Sequence, residues 1–227
     1  LYLEFYFSFS KKRKSKKKLL KFSLIILAFL TTTSAQGFEV KATDTQTFSF
    51  EDKSSRNQAT FYSTTPFEEI NGLTTDIKGK VTFDVKDFAK TLKGEFTIPV
   101  ASLKTGIEKM EEDLRSSSWL DEEKYPIITF KIKKVSNVKK VESNKLTADV
   151  MGNFTVHGVT KEITADSKVT YLDESEMTRT RMPGDLLGVE AAFDINLSDY
   201  GVEHLLLGKR VSDDIQIKVN LVGTNKF

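Results

Sequence analysis

SLKTGIEKMEEDLRSSSWLDEEKYPIITFKIKKV, residues 102–135, breaks an otherwise two-residue rhythm, and the rest of the chain is organised about that break. Thr105 and Glu108 stand in capping-box spacing, hydroxyl toward the third backbone N–H and carboxylate back toward the cap, which predicts a helix beginning at Gly106. Ile107, Met110 and Leu114 then share one face at i, i+3 and i+7. Glu108, Lys109, Glu111, Glu112 and Asp113 take the other, as a solvated helix face. Ser116, Ser117 and Ser118 end the helix, and Trp119, the only tryptophan, follows with Leu120. Tyr125-Pro126 forces extended backbone and opens a strand carrying Ile128, Phe130 and Ile132. A short helix inside a sheet protein must cover something apolar, and the expectation is that it closes one mouth of a β-barrel.

Around that stretch the apolar residues alternate. Strands are predicted over residues 46–51 and 58–65 as a first pair, then 77–85, 93–100, 127–135, 145–157, 160–172, 187–197 and 213–222. Residues 68–75 are polar around Asn71-Gly72, which has the composition of a turn. One apolar and one polar face per strand, joined by short connections, argues for an antiparallel sheet. Eight or nine strands must hide that face either in a sandwich or in a closed barrel. Several run ten residues or more, longer than the usual ~5–6, which favours an all-β, antiparallel barrel of about eight strands. Such a barrel holds either side chains or one slim ligand.

The first 35 residues have a different character. A basic run, KKRKSKKKLLK (residues 11–21), leads into an apolar stretch over 19–30 and the small residues Thr33, Ser34 and Ala35. That pattern is expected of a secretory signal cleaved after Ala35, preceded by an aromatic extension. Its uncharged apolar run, residues 22–30, is far short of the roughly 20 residues of a membrane span. The expected organisation is therefore an extension and signal over 1–35 and one barrel domain over 36–227, exported to a periplasmic or extracellular space. Eight of the 34 basic residues but one of the 32 acidic ones lie in the signal, leaving 26 basic, 31 acidic and a net charge of −5 in residues 36–227. The basic character of the whole chain thus argues nothing for nucleic acid. With no cysteine there is neither a disulfide framework nor a lipid-modified N-terminal thiol.

Candidate chemistry is sparse. The two histidines, His157 and His204, stand in no metal-ligand spacing. His157 precedes Gly158 between two predicted strands, the composition of a hairpin turn. His204, among Val202, Leu205, Leu206 and Leu207, is expected to pack or to lie at the surface. No nucleophile elbow, phosphate loop or dinucleotide fingerprint is present, so no catalytic residue, metal or cofactor is assigned. The 17 phenylalanines concentrate at inward strand positions, where they either fill a core or line a tunnel. Periodicity leaves the two readings even.

Five segments carry a family resemblance: residues 102–130; GNFTVHGVTKEIT, 152–164; FDINLSDYGV, 193–202; VSDDIQIKVNLVG, 211–223; and GKVTFD, 79–84. In this order and spacing they resemble the YceI-like family, exported lipocalin-shaped barrels associated with polyisoprenoid and quinone lipids. The resemblance implies a lipocalin-like barrel that binds, sequesters or transports a long isoprenoid- or quinone-like lipid in the cell envelope and is not an enzyme. It tilts the phenylalanines toward a tunnel lined by Phe61, Phe83, Phe96, Ile98, Phe130, Ile132, Phe154, Val156, Phe193 and Ile195, with Leu114 and Trp119 at its mouth. Lys109, Arg115 and Tyr125 are the polar residues nearest that mouth. The implied partner is a hydrophobic small molecule, with no nucleic acid and no stable membrane insertion once the signal is cleaved; a homodimer is left open. Two positions depart from the family pattern. Met110, Glu111 and Asp113 occupy the helix where relatives often carry Arg-Asp-x-His, and Asn57-Gln58-Ala59 stands where a histidine often begins the second strand. The alternative is a filled barrel acting as a structural or stress-associated envelope module.

Overall fold

The computed structural model describes residues 36–227, which belong to one compact unit with its own core. The signal-like segment and its expected cleavage point lie outside the described residues. Ten strands run in chain order as β1 (Thr45–Ser49), β2 (Gln58–Thr64), β3 (Glu69–Thr74), β4 (Lys78–Asp84), β5 (Lys93–Pro99), β6 (Ile127–Glu142), β7 (Lys145–Val156), β8 (Val159–Leu172), β9 (Leu186–Asn196) and β10 (Asp214–Thr224). Three short helices join them: α1 (Phe88–Thr91), α2 (Glu108–Arg115) and α3 (Glu176–Arg179). Among the described residues no helix is long and apolar enough to cross a membrane.

Eight strands form a closed antiparallel ring in the order β1-β4-β5-β6-β7-β8-β9-β10, sealed where Ser49 of β1 meets Thr224 of β10. Strand alternation is what makes the ring: in β7 every second residue, from Leu146 through Ala148, Val150 and Phe154 to Val156, is buried. The expected first pair does not form. β1 and β2 lie end to end along one edge of β10, with Gln58–Ser63 opposite Ile215–Asn220. Between them the chain loops out over residues 50–57, and the buried Asn57 side chain bridges the gap. Its amide donates to the carbonyls of Phe50 (3.0 Å) and Val222 (3.2 Å) and its oxygen accepts the Val222 N–H (2.8 Å), as a strand residue would. Asp52 ties the same loop, accepting the N–H groups of Ser54, Arg56 and Asn57 and a two-pronged contact from Arg181 at 2.6 and 3.2 Å.

Residues 69–74 also depart from expectation. They form β3, paired with β2, and Gly72 sits across from Phe61 where a Cβ would lie 2.0 Å from the ring tip. Glycine is there for close approach of an aromatic ring to backbone, not for a turn. At the β7–β8 connection the turn reading is correct: His157 (φ 50°) and Gly158 (φ 73°) both take left-handed conformations, the pair a tight primed turn needs. His157 Nδ1 lies 2.9 Å from the Tyr200 carbonyl, to which it donates, and so ties this turn to the 3-10 segment Leu197–Tyr200.

One end of the barrel is plugged. Phe38 from the N-terminal arm, Phe48, Phe83, Phe88 of α1 and Tyr171 interlock with ring centroids 5.2–5.8 Å apart. None is more than 3% exposed. The Tyr171 hydroxyl donates to Asp185 at 2.7 Å, and burial, then that carboxylate, hold it protonated far above the ordinary tyrosine range.

Candidate functional site: an apolar cavity open at one end

From the plug the bore opens into a cavity of about 680 Å³. Its walls are the inward side chains of the strands: Phe61 from β2, Phe96 and Ile98 from β5, Phe130 and Ile132 from β6, Phe154 and Val156 from β7, Phe193 and Ile195 from β9. Leu114 and Trp119 stand at the mouth. Phe83 is the exception to the expected lining. It points inward, but at the level of the plug, fully buried against Phe38, Phe48 and Phe88, and Phe88 forms the floor in its place.

Three buried hydroxyl groups on the wall are engaged within the protein. Ser167 donates to the Ala165 carbonyl at 3.1 Å, Ser63 accepts the Ser212 N–H at 2.8 Å, and Thr74 shares a 2.7 Å hydrogen bond with Ser102. The deep bore is therefore mainly apolar, and the charged lining residues, Glu68, Lys109, Asp113 and Arg210, lie on the three segments around the mouth.

Three segments surround the mouth. The first holds α2, which starts later than its sequence suggests. Gly106 takes φ 80°, so the helix begins at Glu108 and Ile107 becomes its cap. Glu111, not Glu108, turns back: its Oε1 accepts the N–H groups of Thr105 (3.0 Å) and Gly106 (3.1 Å) and its Oε2 accepts Lys104 Nζ at 3.0 Å. That ammonium, with the two backbone donors, lowers the Glu111 carboxyl below its ordinary range. Glu111 is thus buried at the start of the helix and does not share the solvated face assigned to it. Ile107, Met110 and Leu114 do share a face, and it is turned to the cavity.

The second segment, residues 202–211, carries no strand or helix period. His204 stacks on Trp119 with centroids 4.3 Å apart and accepts the Leu206 N–H through Nδ1 at 3.1 Å, which puts the proton of the neutral ring on Nε2. His204, Leu206 and Arg210 all line the opening. The sequence reading missed Leu206 and Arg210; three consecutive leucines framed by charges, EHLLLGKR, were the signal. The third segment is the β2–β3 turn, whose Glu68 accepts Arg210 Nε at 2.8 Å across the mouth. Of the three polar residues expected there, only Lys109 lines the opening, held by Asp113 at 2.7 Å. Arg115 faces Glu111 and Glu122, and Tyr125 packs edge-on to His157. Among the described residues, no three His, Asp or Glu side chains stand together as a metal ion requires.

The comparisons with known proteins point the same way. A YceI-like domain model matches residues 48–223. A protein YceI of Salmonella newport is 32% identical over 187 residues, 82% of this chain and 87% of the relative. A UPF0312 protein of Pseudomonas fluorescens is 33% identical over 132 residues, 58% of this chain; the match spans 64% of that relative's length. Among solved structures, Burkholderia cenocepacia BcnA superposes with a TM-score of 0.60 at 22% identity, covering 77% of this chain and all of that one. A polyisoprenoid binding domain from Saccharophagus degradans, implicated in plant cell wall breakdown, does so at 0.57 and 16%, covering 78% and 97%. With a domain match that begins inside β1 and ends inside β10, so taking in the whole closed ring and the helix at its mouth, the chain belongs to the YceI-like family.

Proposed function

We propose that this protein binds a long hydrophobic lipid, isoprenoid- or quinone-like, in the bore of its barrel, and sequesters or carries it in the cell envelope. One observation carries the reading: a cavity of about 680 Å³ with a predominantly apolar wall and an opening at one end. That volume falls within the roughly 300–1,000 Å³ of small-molecule sites. The filled-barrel alternative requires a bore with no such space. The polyisoprenoid-binding description of the Saccharophagus neighbour supports the ligand class, and the signal-like residues 1–35 support export.

Affinity comes from the tail. Each methylene transferred from water gains about 0.8 kcal/mol, so about ten of them offset association costs of roughly 4–15 kcal/mol. Short tails bind weakly and long ones well. The eleven predicted lining residues that face the cavity contact the tail, and Trp119, His204 and Lys109 meet whatever emerges at the mouth.

The test is native mass spectrometry on protein expressed with residues 1–35 in place and extracted gently. The expected spectrum contains a copurifying lipid released on collisional activation. A clean ligand-free mass, together with failure to take up a hydrophobic fluorescent probe, removes the reading.

A further inference from the structure

The rim of the mouth exposes more apolar surface than a soluble rim needs. Phe67, at the tip of the β2–β3 turn, is 81% exposed; Leu205, in the middle of the 202–211 segment, is 84% exposed; Ile107, at the cap of α2, is 55% exposed. Each belongs to a different one of the three segments around the opening, and each adjoins or is a residue that lines it: Glu68, His204 and Leu206, and Ile107 itself. Scattered exposed apolar residues need no explanation, but three ringing one opening do. Ion pairs link several of the charges between them, Glu68 with Arg210, Lys109 with Asp113 and Glu112, and Lys104 with Glu111, and the remaining Glu108, Glu203 and Lys209 again carry both signs.

We propose that this rim docks reversibly on the surface of a zwitterionic phospholipid bilayer, with Phe67, Leu205 and Ile107 entering the interface and the cavity mouth facing the lipid. Two features select a bilayer over a protein partner. Interspersed charges of both signs match a head-group layer in which phosphate and ammonium alternate, and they offer no field of one sign to a charged partner. The rim is also continuous with an apolar bore, so a lipid passing between bilayer and cavity crosses no aqueous gap. Docking of this kind depends on side-chain insertion and little on salt. The proposal goes beyond the lipid-binding reading, and the two are tested by separate measurements.

Residues 36–227 belong to a compact unit and hold no cysteine, so single cysteines placed there report cleanly. An environment-sensitive fluorophore is attached at Phe67→Cys, at Leu205→Cys or at Met177→Cys, and ligand-free phosphatidylcholine vesicles are added. Met177 is the control: it is 81% exposed but sits on α3, beyond the plugged end. The expected result is a blue shift at positions 67 and 205, unchanged in high salt, and none at 177. The double variant Phe67→Ser/Leu205→Ser spares every lining residue. It should keep its melting temperature and any copurifying lipid while vesicle partition falls about tenfold per substitution. An equal shift at 177 overturns the proposal. So does binding that needs anionic lipid and disappears in salt, or a rim that responds only to protein concentration, which marks a dimer contact. Copurifying lipid without any vesicle response removes docking alone and leaves the carrier reading in place.

Discussion

The two ends of this barrel are built from the same strands with the same alternation, yet one is solid and the other hollow. At the plugged end, rings meet at 5.2–5.8 Å and are almost completely buried. Toward the mouth, Phe193 meets Phe154 at 5.3 Å along the wall but stands 6.4 Å from Phe130, and both Phe130 and Phe193 are only half-buried on walls that face empty space. The difference lies in the connections. Phe38 from the N-terminal arm and Phe88 from α1 reach into the plugged end and complete it. At the other end the connections bring charged residues, and their aromatic rings, the Trp119–His204 stack and Tyr200 against Phe154, pack on the wall without filling the bore. Strand periodicity decides which side chains face in; the aromatic content of the connections decides whether the space between them is filled.

Substitutions at matched positions probe that contrast, beginning with the largest effect. Phe83→Ala removes a ring from the plug and is expected to cost about 3–5 kcal/mol in urea unfolding. Phe193→Ala beside the existing cavity is expected to cost about 1–2 kcal/mol, because a half-buried ring gives up less apolar area, while lipid retention falls. Equal costs at the two sites would erase the distinction between the ends.

Next comes the seam clamp. Arg181→Ala strands the buried Asp52 carboxylate and should cost about 3 kcal/mol at neutral pH. Burial alone raises an aspartate, but Arg181, the Ser54 hydroxyl and the loop N–H groups outweigh it and hold Asp52 well below its ordinary value of 3.8. A carboxyl lowered on folding contributes its full stability above the unfolded value and loses it as pH falls through the folded one. The advantage of the parent over Arg181→Ala is therefore expected to be constant above about pH 5 and to shrink below pH 4. A pH-independent difference in melting temperature assigns the loss to packing.

Gly72→Ala forces Phe61 to move and is expected to cost about 1–3 kcal/mol. It should also lower lipid affinity, since Phe61 is a cavity wall; a loss of stability with affinity intact places the strain elsewhere. Smallest is Arg210→Ala, which opens the ion pair to Glu68 across the mouth. Both partners are substantially solvated, so stability should change by less than about 1 kcal/mol. Probe release, followed by stopped flow, should quicken; unchanged release means the pair does not restrain the opening.

Most of the barrel was legible in the sequence, and the failures have specific causes. β7, β9 and β10 announce themselves because each keeps one apolar face over eleven or twelve residues. β3 did not, because Asn71-Gly72 has turn composition while the glycine serves the Phe61 ring. The helix start was misplaced because a capping-box spacing cannot reveal that Gly106 will take a positive φ, which shifts the returning carboxylate from Glu108 to Glu111. Eleven of the twelve predicted lining residues face the cavity, and Phe83 does not, because alternation reports the face of a strand and not the height along the bore. The 202–211 segment lies outside any periodic argument. Its part in the mouth depends on Trp119, more than eighty positions away in the chain, arriving beneath His204.

The seam at Asn57 has a consequence for how the molecule comes into being. Asn57 grips Val222 across 165 positions of chain, and neither β1 nor β2 has its full set of neighbours until β10 exists. A nascent polypeptide carries a curled sheet with two unsatisfied edges through nearly all of its synthesis, and sealing waits on the slowest kind of encounter, one between remote segments. The bore thus exists as a walled space only once β10 has paired with both β1 and β2, so its shape is fixed by the last strand of the chain.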